Sequence, residues 1–134
     1  MRICVGALLV SRGRILLVHR RTDREWYPNV WDIPGGHVGE ETHGEALARE
    51  LSEELGVQIM APTDPPFRLL EGDGYRMGVW ILTAWTGTPV NKAAEEHDEI
   101  RWVTISELDD LLLADPSYRE LFRLVLPSVG SAAF

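Results

Sequence analysis

The sequence predicts an α+β fold, a mixed β-sheet covered by helices. Three observations carry that expectation. Short apolar, β-branched runs recur along the chain as strands do, and one strongly amphipathic helix interrupts them near the middle. The regular strand–helix alternation of long parallel crossovers is missing. With 134 residues, 45% of them hydrophobic, the chain is expected to form one domain over residues 1–134 with a compact core.

The elements follow in order. Residues 3–10 (ICVGALLV) and 14–19 (RILLVH) read as a strand pair, turned by SRGR, where Gly13 is suited to positive φ. Arg2 before a short apolar run superficially resembles a secretory leader. No small-residue cleavage site follows and a second apolar run comes at once, so a hairpin accounts for it better. Residues 21–30 (RTDREWYPNV) are polar and aromatic with Pro28, and are expected to be a loop. Trp31-Asp32-Ile33 reads as a strand stub that Pro34-Gly35-Gly36 stops. A helix is expected over about 43–55. Thr42 and Glu45 form a capping-box pattern, Leu47, Leu51 and Leu55 mark one apolar stripe, and Gly56 is placed to cap the end. VQIM and FRLLEG read as strands separated by the turn APTDPP. YRMGVWILTAW reads as a long strand and EIRWVTI as another. SELDDLLL is expected to be a helix with Ser106 as its N-cap, and Pro116 to open a last helix, SYRELFRLVL.

Charge narrows the partners. The chain has 13 basic and 21 acidic residues, a formal net charge of −8. An acidic surface repels polynucleotides and anionic membranes, so neither is an expected partner. An anionic ligand would need a positive bridge, and a divalent cation serves. The one cysteine, Cys4, lies in an apolar run and has no second cysteine to pair with, which suits a small buried hydrophobe and a reducing, cytoplasmic setting. No apolar run approaches the ~18 residues of a membrane-spanning helix.

The stretch GGHVGEETHGEALARELSEELGV, residues 35–57, carries the chemistry. Glu50, Glu53 and Glu54 fall at i, i+3 and i+4 and share one helix face, away from the leucine stripe. Like charges at that spacing destabilise a helix. A hard divalent cation resolves the conflict, because Mg²⁺ takes carboxylate oxygens together with substrate phosphates. Arg49 is spaced to pair with Glu45 and Glu53 and to orient one carboxylate.

This stretch resembles the signature of the Nudix hydrolase family, G-x5-E-x7-R-E-U-x-E-E-x-G-U, with U bulky and apolar. Gly35, Glu41, Arg49-Glu50-Leu51, Glu53-Glu54 and Gly56-Val57 fill every fixed position. Trp31-Asp32-Ile33-Pro34 is similar to the family's lead-in strand, and EEHDEIRWVTISEL to a later segment, so the likeness spans roughly residues 3–113. One feature departs. Members usually count the five residues from the second glycine of the pair, and here Gly36 leaves four before Glu41. The loop is one residue short, which bears on its path and on which glycine carbonyl meets a metal.

The resemblance implies an α/β/α sandwich around a central mixed sheet. It also implies Mg²⁺- or Mn²⁺-dependent hydrolysis of a nucleoside diphosphate linked to another group. By motif position Glu50, Glu53 and Glu54 would be metal ligands, with Glu41 and Arg49 in support and a carbonyl of Gly35 or Gly36 adding a ligand. The metal would neutralise the diphosphate and lower the pKa of a water, and a carboxylate would take the proton. Glu53 or Glu54 is the expected base, with Glu96 and Glu99 as further candidates. Arg20 and Arg21 close the second strand, and alternation sends them to opposite faces. Arg21, by its distance to Pro34, is the better match to a diphosphate-binding arginine. For the base, Trp26, Tyr27, Tyr75 and Trp80 supply aromatic surface.

The chain's small size resembles that of the MutT-type nucleoside triphosphatases. A (deoxy)nucleoside triphosphate, oxidised ones such as 8-oxo-dGTP included, is the expected substrate, cut to monophosphate and pyrophosphate. Tyr75 lies roughly where dinucleoside polyphosphate hydrolases carry a tyrosine, which keeps that class, with ADP-ribose, as an alternative. A non-catalytic nucleotide sensor is the rival of a different kind, and the intact signature argues against it. A monomer or a homodimer is expected.

Overall fold

A computed structural model of the chain describes residues 1–129. Its elements are those of an α+β chain with a mixed sheet, as the sequence predicts. Contacts group the residues into two compact units. One joins Met1–Leu8 to Pro34–Ala93, and the other joins Leu9–Ile33 to the chain from Ala94.

The first unit holds most of strand β1 (Arg2–Ser11), β4 (Gly35–His37), helix α1 (His43–Leu55) and the hairpin β5 (Arg68–Gly72)–β6 (Tyr75–Leu82). β1 lies between β4 and β6. β4 runs antiparallel to β1, with Val5 opposite Gly36 and Gly6 opposite Gly35. Pro34 ends one strand as expected, but the two glycines do not end the sheet, because they form a strand of their own. They suit it because β1 approaches closely: a Cβ on Gly35 (φ 151°) would collide with the Val5 carbonyl. α1 begins and ends where the sequence signals place it. The Thr42 hydroxyl accepts from the Glu45 N–H, the Glu45 carboxylate accepts from the Thr42 N–H, and Gly56 sits at φ 71°. Leu47, Leu51 and Leu55 are fully buried.

Two expectations in this unit are corrected. VQIM is no strand. Gln58 alone pairs, with Thr86, and Met60 is 93% exposed. Pro62, Pro65 and Pro66 follow and cannot donate to a ladder. β6 also stops at Leu82, short of TAW.

The second unit is built on β2 (Arg14–Arg20). One edge of β2 pairs along its length with β7 (His97–Val103), with a bulge between His19 and Arg20. Its other edge pairs with the end of β1 and then with β3 (Trp31–Asp32). The β1–β2 turn has both Arg12 (φ 52°) and Gly13 (φ 73°) left-handed, the geometry that matches strand twist in a two-residue hairpin. The last helix, α2 (Tyr118–Val129), starts just after Pro116 and packs on β2 through buried Tyr118, Leu121, Phe122 and Val125. The expected helix at Ser106 is a five-residue 3₁₀ turn, Ser106–Asp110, and Ser106 is not its cap. No side chain caps the turn, and Thr104 donates its N–H and hydroxyl to the Glu107 carboxylate at 2.9 and 2.8 Å. Asp109 and Asp110 then oppose the negative end of the turn.

Candidate active site

Most of the sequence-predicted residues of the first unit gather on and around α1. Arg49 organises them. Its guanidinium grips Glu41 with two bonds, 3.0 and 2.7 Å, and reaches Glu50 at 2.9 Å and Glu53 at 3.4 Å. It also donates to the His37 carbonyl at 3.0 Å, tying the helix to β4. The short loop is closed by the same carboxylate, since Glu41 accepts the Gly39 N–H at 3.1 Å. The fork from Arg49, with the Gly39 amide, holds the Glu41 carboxyl below its ordinary range, and Glu41 in turn raises the Arg49 pKa. Glu45, which spacing offered as a second partner of Arg49, serves the helix cap instead.

The three helical acids are graded in burial. Glu54 is buried and accepts the Gly35 N–H at 3.2 Å, Glu50 is half-buried, and Glu53 is exposed. Gly36 and Glu50 are in intimate contact, and a Cβ on Gly36 would stand 2.5 Å from the Glu50 carboxyl carbon. The glycine pair therefore cradles two carboxylates of α1, Glu50 and Glu54, and Arg49 links Glu50 to the exposed Glu53. That all-oxygen donor set fits a hard divalent cation.

The other candidates of this unit stand apart from that cluster in role. Tyr75 opens β6 and lays its ring over Gly72, its cross-strand partner. Trp80 is 5% exposed, and its indole N–H donates to the Asp64 carbonyl at 3.1 Å. It serves the packed interior and offers a nucleobase little surface.

In the second unit the arginines are already engaged. Arg20 donates to the Trp26 and Tyr27 carbonyls at 2.7 to 3.1 Å and so closes the 21–30 loop on itself. Arg21 lies beyond the end of β2, outside the alternation expected for it, and pairs with Asp23 at 3.0 Å and the Ala94 carbonyl at 3.3 Å. Glu96 faces Arg24 at 3.6 Å, while Glu99 is held by Arg101 at 2.8 Å. Trp26 is the exposed one of the five tryptophans, at 49%.

Sequence reading passed over two polar groups here. Asp32 accepts from the Tyr118 hydroxyl at 2.6 Å and the Ile33 N–H at 2.8 Å. Loss of solvent raises its pKa, and the two bonds work against the rise. His97 is buried, and burial, with Arg20 and Arg24 adding, lowers its pKa to about 4. A charged residue inside the apolar stub Trp31-Asp32-Ile33 was the one sequence signal for the first, while the second had none.

Among the described residues no helix is long and apolar enough to cross a membrane. The sequence model of the NUDIX domain matches residues 1–125. An RNA pyrophosphohydrolase of Novosphingobium aromaticivorans is 35% identical, over 93% of this chain and 89% of its own. A putative 8-oxo-dGTP diphosphatase 2 of Mycobacterium tuberculosis is also 35% identical, over 81% and 77%. Among solved structures, a MutT NUDIX hydrolase from Burkholderia pseudomallei superposes with a TM-score of 0.74 at 26% identity, covering 96% of this chain and 97% of that one. The sandwich around a mixed sheet expected from the sequence is the fold shared with that structure.

Proposed function

The chain belongs to the Nudix hydrolase family and is an enzyme of that family, and on that premise we propose that it acts as a single domain on a nucleoside diphosphate-linked substrate. A (deoxy)nucleoside triphosphate, oxidised forms such as 8-oxo-dGTP included, is the favoured substrate, cut to monophosphate and pyrophosphate. The observation that carries the reading is the cluster on α1, Glu50 and Glu53 held by Arg49, with Glu50 and Glu54 against a glycine cradle. The name of the M. tuberculosis relative supports the triphosphate.

Family members generally use a divalent metal. In this chain Glu50, Glu53 and Glu54 would hold Mg²⁺ or Mn²⁺, with a carbonyl of Gly35 or Gly36. Such a metal, when bound, offsets the charge of the diphosphate and acidifies water. Glu53, exposed and only loosely paired, is the carboxylate best placed to take a proton, with Glu54, Glu96 and Glu99 as alternates. Arg49 and Glu41 act as positioning residues, holding the acids at fixed spacing. Arg21 is the proposed diphosphate contact, exchanging its Asp23 partner for phosphate, and Arg20 shapes the loop that carries Trp26. The proposed setting is cytoplasmic, as a monomer or homodimer.

A second reading is favoured by the N. aromaticivorans relative, namely that the triphosphate is the 5′ end of an RNA. The net charge of −8 weighs toward free nucleotides, since polynucleotide binding draws its affinity from cationic contacts to phosphate. Turnover with Mg²⁺ and with EDTA, across normal dNTPs, 8-oxo-dGTP, Ap4A, ADP-ribose and a 5′-triphosphorylated RNA, tests both. Metal-dependent release of a monophosphate from one free nucleotide supports the first reading. Pyrophosphate released from RNA alone supports the second. No turnover with nucleotide still bound replaces both with a sensor.

A further inference from the structure

The carboxylates of α1 crowd toward its C-terminal end, where the last carbonyls need partners from beyond the helix. Gly56 meets one, donating its N–H to Ser52 at 3.1 Å. The last two are met by a later segment. The Val90 N–H donates to the Leu55 carbonyl at 3.0 Å, and the Lys92 N–H to the Glu54 carbonyl at 2.8 Å. Gln58 and Thr86 exchange both of their main-chain bonds, 3.0 and 2.9 Å, so residues 86–92 wrap the helix end. The helix has no basic residue in its last turn. Lys92 brings its stem across Gly56 instead, 3.0 Å from where a Cβ there would stand.

Glu54 is thus gripped at both ends. Its carboxylate takes the Gly35 N–H at 3.2 Å, and its carbonyl takes the Lys92 N–H. A terminal helical turn frays unless its carbonyls are tied down, and fraying here would move the Glu54 carboxylate with the backbone. A metal-holding carboxylate tolerates displacement of only about 0.5 Å.

We propose that the main-chain N–H of Lys92 is a positioning group for Glu54, fixing the last turn of α1 and with it the place of the carboxylate. The proposal rests on reading Glu50, Glu53 and Glu54 as the metal-holding set. Three variants test it. Lys92→Pro removes the N–H. Lys92→Ala keeps it and removes the ammonium. Val90→Pro removes the neighbouring N–H, whose partner Leu55 faces the core. Mn²⁺ binding, followed by electron paramagnetic resonance, is read beside turnover and melting temperature. Lys92→Pro is expected to raise the Mn²⁺ dissociation constant about 10- to 100-fold and lower kcat with little change in KM, as losses of ligand-orienting partners do. Lys92→Ala is expected to bind like the unaltered chain, and Val90→Pro, which frees the carbonyl one residue further on, to lose thermal stability and to weaken Mn²⁺ binding less than Lys92→Pro does. Unchanged Mn²⁺ affinity in Lys92→Pro overturns the proposal. Should that variant not fold, amide hydrogen exchange on the unaltered chain decides: Mg²⁺ must slow exchange at Lys92 more than at Val90, and equal slowing overturns it. No Mn²⁺ binding by the unaltered chain overturns the metal-site reading itself, and this proposal with it.

Discussion

Carboxylates do opposite work in two parts of this chain. Around α1, Glu41 from the preceding loop and Glu50 and Glu53 from the helix are spread around one guanidinium, and the pKa of Glu41 is held down by the fork from Arg49. In the second unit, Asp32 is desolvated, its pKa is pushed up, and a tyrosine hydroxyl and an amide satisfy it. Asp115, buried nearby in sequence to Tyr118, is likewise spent on the Ser117 N–H and hydroxyl, at 2.8 and 2.6 Å. The first arrangement keeps negative charge on display at a fixed spacing, which is what a cation needs. The second consumes its acids internally as turn and packing pieces. An excess of 21 acidic over 13 basic residues therefore says little by itself, and the way each acid is held decides its use.

The contrast is open to breakage, most severely at Glu53. Glu53→Gln keeps size and exposure but removes the charge, and is expected to fold with an unchanged melting temperature while kcat falls about 10²- to 10⁴-fold. Full turnover in that variant would remove Glu53 from the chemistry. Gly36→Ala comes next. The added methyl must displace the Glu50 carboxyl, the far end of a flexible side chain, so metal affinity measured by titration calorimetry is expected to drop about 10-fold with little loss of stability. An alanine variant that binds metal normally would show that the glycine cradle is incidental. The smallest effect is expected at Asp32. Because its folded pKa lies above the ordinary 3.8, the folded state keeps a proton that the unfolded chain gives up. Its contribution to stability is whole below that ordinary value and is lost as pH rises through the raised one. In melting curves collected between about pH 3 and pH 8, the unaltered chain should gain on Asp32→Asn as pH falls. A constant gap between the two would show that Asp32 does not titrate this way.

What could be read from the sequence was local. Thr42, Glu45 and Gly56 act on backbone within one turn of themselves, so α1 is legible to the residue, and its acidic face follows from helix geometry alone. The remainder depends on partners far along the chain. Gln58 needs Thr86 to pair at all, and three prolines keep the rest of VQIM from following it. Trp80 reads as a free aromatic until the Asp64 carbonyl claims its indole, and Arg20 reads as a phosphate ligand until loop carbonyls claim its guanidinium. Ser106 reads as an N-cap, yet no side chain caps that turn, and Thr104 spends its N–H and hydroxyl on the Glu107 carboxylate.

Twelve of the thirteen basic residues are arginine, and Lys92 is the one lysine. Amine-directed chemistry thus has a single side-chain target, exposed, beside the end of the helix that carries the acids. A fluorophore attached there would ride on the residue whose main-chain N–H holds the Glu54 carbonyl, and the native sequence supplies this reporter position without any engineered cysteine.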